Sequence, residues 1–238
     1  MKILITGSSG FVSKNLIKFL LNKKNFKVYA ISRKKNKNKK NLTFYNLNLM
    51  KKNKIKEIFF DIVMHTAAIV VNKKNVNDPN LLTKNMKITN NLIKILKDIK
   101  FKRIINFSSS SVYSNNSGKF SESSPINPIN NTDFIYGLSK FSSEVLLKCN
   151  FNEKKILNLR ISQIYGNGMA KTKIIPNMIN SIKKNNKISI FGDGSRLLNF
   201  IEINDLIKYI FKLIKKKSFG DYNVSSTVIS TKRLATEI

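Results

Sequence analysis

The stretch KILITGSSGFVSKNLIKFL, residues 2–20, joins a short apolar run to a glycine-containing turn and then to an amphipathic segment. Residues 2–6 predict a buried β-strand, and residues 10–21 predict a helix with apolar side chains every three or four positions. Gly7 and Gly10 lie between them, where glycines allow a tight turn and let backbone N–H groups approach a pyrophosphate at the positive end of the helix. Ser13 occupies the position of a third glycine in such turns. The arrangement predicts a dinucleotide-binding β-turn-α unit.

The composition is that of a folded protein. The chain has 238 residues, 42% of them hydrophobic, enough to bury a core as one large domain or as a domain with a small lobe. It has no run of about 18 apolar residues, so no membrane span is predicted, and its N-terminus resembles a buried strand rather than a signal peptide. Cys149 is the single cysteine, which excludes an intrachain disulfide and favours a cytoplasmic location. No metal site is predicted.

The charge of the chain is strongly positive, because 44 basic and 13 acidic residues give a formal net charge of +31. A field of that sign attracts polyanions, so RNA and anionic membranes have to be considered as partners. The basic residues are nearly all lysines, however, and they are spread over the chain together with many asparagines. Specific nucleic-acid surfaces rely more on arginine and on aromatic platforms. We therefore expect no specific nucleic-acid partner.

Apolar runs of strand length alternate with longer segments of helical period. Strands are predicted at residues 27–32, 42–47, 61–67, 102–108 and 155–160, and helices at 51–60, at 81–99 and around 134–144. Continuous apolar strands that alternate with helices are typical of a parallel sheet covered on both faces. We therefore predict an α/β fold with a Rossmann-type, doubly wound parallel sheet.

The pattern changes after residue 160. A helix at 174–184, a strand at 187–191, a Gly-Asp-Gly turn at 192–194 and a helix at 204–216 predict a smaller lobe. The predicted organisation is a dinucleotide-binding domain at residues 1–160, with excursions to the substrate lobe later in the chain, and a partial, C-terminal substrate-binding lobe at residues 161–238.

A second motif, FIYGLSKFSSE at residues 134–144, sets Tyr136 and Lys140 four residues apart, on one face of a helix. Alone, a Tyr-x-x-x-Lys match is common by chance, and a half-buried tyrosine beside a solvated lysine explains it equally well. Its interpretation depends on the rest of the chain.

Eight segments, in order along nearly the whole chain, resemble the extended short-chain dehydrogenase/reductase family, specifically its nucleotide-sugar epimerase/dehydratase branch. They are TGSSGF, DIVMHTAA, NDP followed by Asn85, FSSSSVY, SESSPINP, YGLSK, LRISQIYG and FGDGSRLLNFIEINDL. The resemblance implies a catalytic triad of Ser109, Tyr136 and Lys140. Ser109 is selected because it stands four residues before Tyr113, although the neighbouring serines compete for this register.

The chemistry of the implied triad explains its residue types. Tyr136 gives or takes a proton while a hydride moves between a substrate carbon and the nicotinamide. Because a free phenol with a pKa of about 10 is a poor base at neutral pH, we expect the Lys140 ammonium and the oxidised nicotinamide to lower the pKa of Tyr136. Ser109 is expected to hydrogen-bond the reacting oxygen, and Lys140 also to hold the nicotinamide ribose.

The resemblance also implies a cofactor site. Its expected residues are Gly7, Ser9, Gly10, Phe11, Val12, Arg33, Asn48, Leu49, Thr66, Ala67, Ala68, Tyr136 and Lys140. The second strand ends in Ser32-Arg33-Lys34, which lacks the acidic residue that binds the adenosine 2′-hydroxyl of NAD and offers cations to a 2′-phosphate. This favours NADP. General lysine enrichment gives the same cluster, so NAD stays open.

The implied substrate is a nucleotide-diphosphate sugar. Gln163 takes the place of an asparagine near the sugar diphosphate, and Arg196 is expected to replace an arginine that would fall at Leu198. Ser110 and Ser111 stand where the 4,6-dehydratases of this family carry Asp-Glu, which disfavours water elimination and leaves epimerisation or keto reduction. Relatives generally continue beyond STKRLATEI, so part of the substrate lobe is expected to be missing or replaced.

Two hypotheses follow. The first is an NAD(P)-dependent epimerase or ketoreductase that acts on a nucleotide-linked sugar in polysaccharide synthesis, with a homodimer left open. The alternative is a non-catalytic dinucleotide-binding protein whose basic surface binds RNA or a partner. The presence of Ser109, Tyr136 and Lys140 together argues against the alternative, because a pure binding protein has no chemical need for all three.

Overall fold

The computed structural model describes residues 1–57, 59–114, 118–190 and 192–238. Its strands and helices are, in chain order, β1 (Lys2–Ile5), α1 (Phe11–Leu21), β2 (Lys27–Ser32), β3 (Leu42–Asn46), β4 (Phe59–His65), α2 (Asn80–Lys97), β5 (Lys100–Ser109), α3 (Phe134–Asn150), β6 (Ile156–Ile161), β7 (Gln163–Tyr165), α4 (Ile174–Asn185), β8 (Leu197–Glu202), α5 (Ile203–Lys215), β9 (Gly220–Val224), β10 (Thr227–Ser230) and α6 (Thr231–Glu237).

The larger sheet has seven strands in the order β3-β2-β1-β4-β5-β6-β9. All of its neighbouring strands run parallel. The strand order reverses between β1 and β4, and in open α/β sheets such a reversal marks the crevice in which ligands bind, at the carboxyl ends of the strands. The predicted doubly wound α/β fold is confirmed.

Helices cover both faces of this sheet. Ile5 of β1 packs in one apolar cluster with Leu16 of α1 and Leu206 of α5. Its neighbour Leu4 belongs to a second cluster, which contains Leu92 of α2. Since successive side chains of a strand point to opposite faces, α1 and α5 lie on one face and α2 lies on the other, so the sheet is buried on both.

A smaller sheet has three strands in the order β10-β8-β7. Its apolar cluster contains Met178 of α4, Leu198 and Phe200 of β8 and Leu234 of α6. This unit lies beyond β6 in the chain, where the sequence predicted the smaller lobe.

The predicted boundary at residue 160 does not separate the two sheets. β9 pairs with β6 at the edge of the larger sheet, with Gly220 opposite Leu157. α5 packs on α1, where the rings of Phe211 and Phe19 have centroids 5.4 Å apart. The chain after residue 160 therefore supplies the small sheet and also the last strand and one covering helix of the large one.

Two predicted elements are absent from the described residues. Residues 51–57 form no helix, and β4 begins at Phe59. The segment is mostly lysine and has Ile55 as its one apolar side chain, so it has no apolar face to bury. Residues 187–190 form no strand, although Ile188 packs on the third cluster. Residues 58 and 191, which belong to these two predictions, lie outside the described residues.

No helix in the described part of the chain is long and apolar enough to cross a bilayer.

Candidate active site

β1 leads through a tight turn into α1. Gly7 has a φ of +65°, and a Cβ added to it would lie 2.8 Å from the Cα of Ala67. Within the described residues, no side chain caps α1 at Gly10 and no acidic residue occupies its first turn. Ser13 is buried, and its hydroxyl oxygen lies 2.6 Å from that of Thr66. The first N–H groups of α1 are therefore available to a phosphate, and the turn fits a dinucleotide.

Polar contacts join the ends of β1 and β4 beside this turn. The Thr6 hydroxyl lies 3.0 Å from Nδ1 of His65, and Nε2 of His65 lies 3.2 Å from the Thr89 hydroxyl. Burial, and to a smaller extent the charge of Lys140, lower the pKa of His65 to about 3. The imidazole therefore stays neutral and bridges β1, β4 and α2.

A cavity of about 830 Å³ lies at the carboxyl ends of the strands of the large sheet. Its lining includes every predicted cofactor-binding residue and also Ser109 and Gln163. Arg196 is not among the described lining residues; it precedes β8, and its carbonyl oxygen accepts hydrogen bonds from the backbone N–H and the hydroxyl of Thr231. The fold thus gathers the predicted cofactor and triad residues in one cavity and leaves Arg196 outside it.

The triad residues come from two elements. Ser109 is the last residue of β5 and is 9% exposed, whereas Tyr136 and Lys140 lie near the start of α3. The Lys140 ammonium is buried, donates to the carbonyl oxygen of Phe107 at 2.7 Å and lies 5.6 Å from the centroid of the Tyr136 ring. Tyr136 and Lys140 therefore share the face of α3 that looks onto the cavity and onto β5.

Gly137 sets the distance between α3 and the turn after β5. A Cβ added to Gly137 would lie 2.1 Å from the carbonyl oxygen of Ser111. Any side chain at this position would push α3, together with Tyr136, away from Ser109.

The Ser109 hydroxyl belongs to a short hydrogen-bonded chain. It donates to Oγ of Ser111 at 3.1 Å and accepts the Ser111 N–H at 3.1 Å. Oγ of Ser111 donates in turn to Oδ2 of Asp133 at 2.8 Å. The sequence analysis missed Asp133. The available signal was an acidic residue three positions before Tyr136, but sequence spacing does not reveal a contact with Ser111.

Residues 3–225 match the sequence profile of the NAD dependent epimerase/dehydratase family. The chain belongs to this family.

Relatives of this epimerase/dehydratase-family chain include a dTDP-D-glucose 4,6-dehydratase of Dictyostelium discoideum, which is 29% identical over 94% of this chain and 58% of its own length. A GDP-6-deoxy-D-talose 4-dehydrogenase of Aggregatibacter actinomycetemcomitans is 28% identical over 91% of this chain and 71% of its own length. The solved UDP-glucuronic acid 4-epimerase of Bacillus cereus, in complex with UDP-glucuronic acid and NAD, is 25% identical with a TM-score of 0.82, over 98% of this chain and 80% of that one. The chain thus spans between about three fifths and four fifths of these relatives.

Burial dominates the electrostatics of the site in this epimerase/dehydratase-family chain. Burial, and secondly the charge of Asp133, raise the pKa of Tyr136 above its ordinary value. Burial also lowers the pKa of Lys140 to about 8, although Glu144 opposes the shift. The Lys140 ammonium is directed at the carbonyl of Phe107, and desolvation of the phenol is the largest cause of the raised pKa of Tyr136. The expectation that Lys140 and the oxidised nicotinamide together lower this pKa stays a prediction.

The serines next to Ser109 have different environments. The Ser108 hydroxyl donates to the buried carboxylate of Glu144, whereas Ser110 is exposed. Ser111 is half-buried and carries the hydrogen-bonded chain to Asp133. The choice of Ser109 as the triad serine stays a prediction.

The cofactor end of the site carries cations. Arg33 lines the cavity and is exposed, while the hydroxyl of Ser32 accepts the Lys34 N–H and the side-chain amide of Asn36, both at 3.1 Å. Asp133 is the only carboxylate among the described lining residues, and it lies at the triad. No described group of three His, Cys, Asp or Glu residues could hold a metal ion.

Proposed function

We propose that this chain is an NAD(P)-dependent epimerase or ketoreductase that acts on a nucleotide-diphosphate sugar. The observation that carries the proposal is the single cavity lined by the turn at Gly7 and Gly10 and by Ser109, Tyr136 and Lys140. A dinucleotide held by the turn and a sugar held at the triad would meet in that space.

When bound, the dinucleotide supplies the hydride acceptor or donor at its nicotinamide. The N–H groups at the start of α1 bind its pyrophosphate. Tyr136 exchanges a proton with the reacting oxygen, and Ser109 orients that oxygen by a hydrogen bond. Lys140 holds the ribose from a position that its bond to the Phe107 carbonyl fixes.

The proposed substrate class rests on the relatives and on the cavity. The Bacillus cereus enzyme is solved with UDP-glucuronic acid, and the Dictyostelium relative is named for a dTDP-sugar. In this chain, Gln163 at the start of β7 and Lys173 before α4 line the cavity and offer an amide and a cation to a sugar diphosphate. Arg196 receives no support from the geometry for this role.

We further propose NADP as the preferred cofactor, although the solved Bacillus cereus relative holds NAD. The support is local: Arg33 lines the cavity where β2 ends, and none of the described residues puts a carboxylate there to bind a ribose hydroxyl.

A homodimer is the proposed assembly. Phe134, Leu138 and Val145 follow one another along α3 with exposed fractions of 38%, 37% and 40%. Their spacing of four and seven residues sets them on one helix face. This apolar row would be covered by the same row of a second copy across a two-fold axis.

The test of the function is a panel of UDP-, GDP- and dTDP-sugars incubated with the purified protein, with and without NADPH. Product without net cofactor consumption identifies an epimerase, and stoichiometric NADPH loss identifies a reductase. Failure of every sugar to react would overturn the proposal. If sequence-selective RNA binding at physiological salt accompanied that failure, the alternative of a non-catalytic binding protein would replace it.

A further inference from the structure

We propose that Asp133 makes this site selective for an uncharged hexose and against a sugar that carries a carboxylate at C6. The proposed function leaves the sugar open, and this inference rests on that function, with C4 of a nucleotide-linked sugar bound at the triad. The accepted chemistry is the neutral hydroxymethyl group of a hexose. The rejected chemistry is the anionic carboxylate of a hexuronic acid.

The carboxylate of Asp133 lies close to the proposed place of the reacting oxygen. Oγ of Ser109 donates to Oγ of Ser111 at 3.1 Å, and Oγ of Ser111 donates to Oδ2 of Asp133 at 2.8 Å. These two bonds hold the carboxylate within about 6 Å of the Ser109 hydroxyl. Since an aspartate side chain is anionic at neutral pH, a negative charge is held beside the serine that is proposed to orient the sugar.

The charge of Asp133 reaches the triad. After burial, it is the second cause that raises the pKa of Tyr136 above its ordinary value. Asp133 is half-buried and forms no ion pair with the described residues. Neither a paired cation nor full exposure to water therefore cancels its field. A second anion bound at the triad would be repelled by this charge.

The cations that line the cavity have other places. Arg33 follows β2 at the cofactor end, and Lys173 precedes α4 and is exposed. The Lys140 ammonium is buried and donates to the carbonyl oxygen of Phe107 at 2.7 Å, so it is directed at β5. Asp133 is the only carboxylate among the described lining residues. The charge nearest to the proposed position of the sugar ring is thus accompanied by no cation dedicated to a sugar carboxylate.

The second oxygen of Asp133 fits a neutral sugar. Asp133 is the N-cap residue of α3, a position at which aspartate ordinarily accepts an N–H of the first turn. Its side chain makes no capping bond with the described residues and uses Oδ2 for Ser111. Within the described part of the chain Oδ1 accepts no hydrogen bond, so it is left to a ligand. A hydroxymethyl group has a hydrogen to donate to it, and a carboxylate at the same carbon has none.

The size of the expected discrimination follows from Coulomb's law. In a hexuronic acid the carboxylate is attached to C5, the ring carbon next to C4, so it stays near the triad when C4 reacts. Two unit charges about 6–12 Å apart, at an effective dielectric constant of about 20, give a discrimination of about 10- to 100-fold. We expect the lower end, because Asp133 is half-buried and salt screens part of its field.

Binding measurements with matched sugar nucleotides test the inference. The probes are UDP-glucose with UDP-glucuronate and GDP-mannose with GDP-mannuronate, because the members of each pair differ only at C6. Isothermal titration calorimetry gives the dissociation constants for the whole chain saturated with NADPH or NADH, which prevents oxidation of the sugar. In the pair that binds, we expect the hexose to bind about tenfold tighter than the uronate. Equal affinities in the wild type would overturn the proposal.

Asp133→Asn removes the charge and keeps an amide oxygen that accepts from Ser111. We expect it to bind the uronate about tenfold tighter than the wild type does and to change hexose binding by less than about threefold. Asp98→Asn is the control of equal charge change at an exposed site after α2. An unchanged ratio in Asp133→Asn, or an equal change in Asp98→Asn, would contradict selection by Asp133.

Ser111→Ala separates charge from positioning, because it removes the contact with Asp133 and keeps the carboxylate. We expect the ratio of the two dissociation constants to stay within about threefold of the wild-type ratio. A change as large as that in Asp133→Asn would assign the selectivity to the hydrogen-bonded arrangement and overturn the role of the charge.

The same titrations distinguish this inference from the proposed function. If the sugars bind with the expected selectivity and none of the panel reacts, the catalytic function fails and the selectivity of Asp133 stands. If the sugars react and Asp133→Asn leaves the ratio unchanged, the function stands and this inference fails. If neither pair binds, both fail.

Discussion

Arg160 and Glu144 form an ion pair in the protein interior, with Nη2 2.8 Å from Oε2 and side chains that are 4% and 2% exposed. Arg160 also donates to Asp221 of β9 at 2.9 Å and to the Tyr113 hydroxyl at 2.8 Å. Glu144 accepts from Ser108 as well. One arginine of β6 thus connects α3, β9 and the segment after β5, which together frame the triad.

Breaking this pair should destabilise the fold. Glu144→Gln removes the buried negative charge and leaves Arg160 short of a partner, which typically costs about 3–5 kcal/mol of the free energy of unfolding. Glu237→Gln is the control, because it breaks a 3.6 Å pair with Arg233 in which both side chains are more than half exposed; such pairs contribute about 0–1 kcal/mol. Urea unfolding measures the stability of both variants. Equal urea midpoints for Glu144→Gln and Glu237→Gln would contradict a large contribution of the buried pair to the free energy of unfolding.

Tyr136→Phe should abolish turnover and leave dinucleotide binding nearly intact, because it removes only the oxygen that titrates. The expected loss in turnover is about 10²–10⁴-fold. Lys140→Met should damage both turnover and binding. Steady-state rates and a fluorescence titration with dinucleotide measure the two effects. Retention of more than about a tenth of wild-type activity by Tyr136→Phe would refute its proton-transfer role.

Arg33→Ala combined with Lys34→Ala should weaken NADP binding by roughly 2–4 kcal/mol and NAD binding by much less, since a 2′-phosphate accepts charged hydrogen bonds that a ribose hydroxyl does not. Lys23→Ala combined with Lys24→Ala removes the same charge from the α1–β2 turn, outside the described lining of the cavity. The ratio of the two dissociation constants is the quantity to compare. A ratio unchanged from wild type would leave the NADP preference without support.

Lys140 should make stability rise with pH above neutrality. Burial lowers its pKa to about 8 in the folded protein, from 10.5 for a free side chain. Between these pH values the unfolded chain holds a proton that the folded protein does not, so the free energy of unfolding increases by about 3 kcal/mol across the window. Below pH 8 both states are protonated and this contribution is constant.

The measurement for Lys140 is urea unfolding at several pH values on both sides of this window. The difference in stability between wild type and Lys140→Met should change across it, while the difference for Lys97→Met, at an exposed position of α2, stays constant. If the free energies of unfolding of the two variants had the same pH dependence, burial would not lower the pKa of Lys140.

The exposed apolar row of α3, formed by Phe134, Leu138 and Val145, predicts a homodimer. Leu138→Lys places a charge in the middle of the apolar row and should convert a dimer into a monomer without loss of helix content. Val228→Lys, at a 61% exposed position of β10, is the control. Light scattering after size-exclusion chromatography reports the mass. A wild-type monomer at micromolar concentration would exclude the proposed dimer.

Local patterns were sufficient for much of the fold. The apolar run at residues 27–32 matches β2 residue for residue, and the helix at 81–99 is displaced by only one residue at its start. Lysine-rich residues 51–57 misled the prediction, because scattered lysines imitate the polar positions of a helix without an apolar face. β9 was missed, since GDYNV has little apolar character and becomes a strand through its pairing with β6.

In the site, too, local spacing predicts some features, whereas others depend on the tertiary fold. The turn at Gly7 and the pair Tyr136–Lys140 are encoded by spacing within one or two elements, and all of them line the cavity. The contact between Ser111 and Asp133 joins residues 22 positions apart across a loop, so no periodicity records it. The raised pKa of Tyr136 likewise follows from burial, which depends on the whole fold.

The place of β9 has a consequence for synthesis on the ribosome. β6 is buried along its whole length in the finished protein, but its outer edge is closed by β9, which is translated only after β7, β8 and α5. A nascent chain therefore carries an open, apolar sheet edge, which is a template for pairing with other chains. A nascent chain released before Asp221 would carry Arg160 without the carboxylate that it contacts in the finished protein.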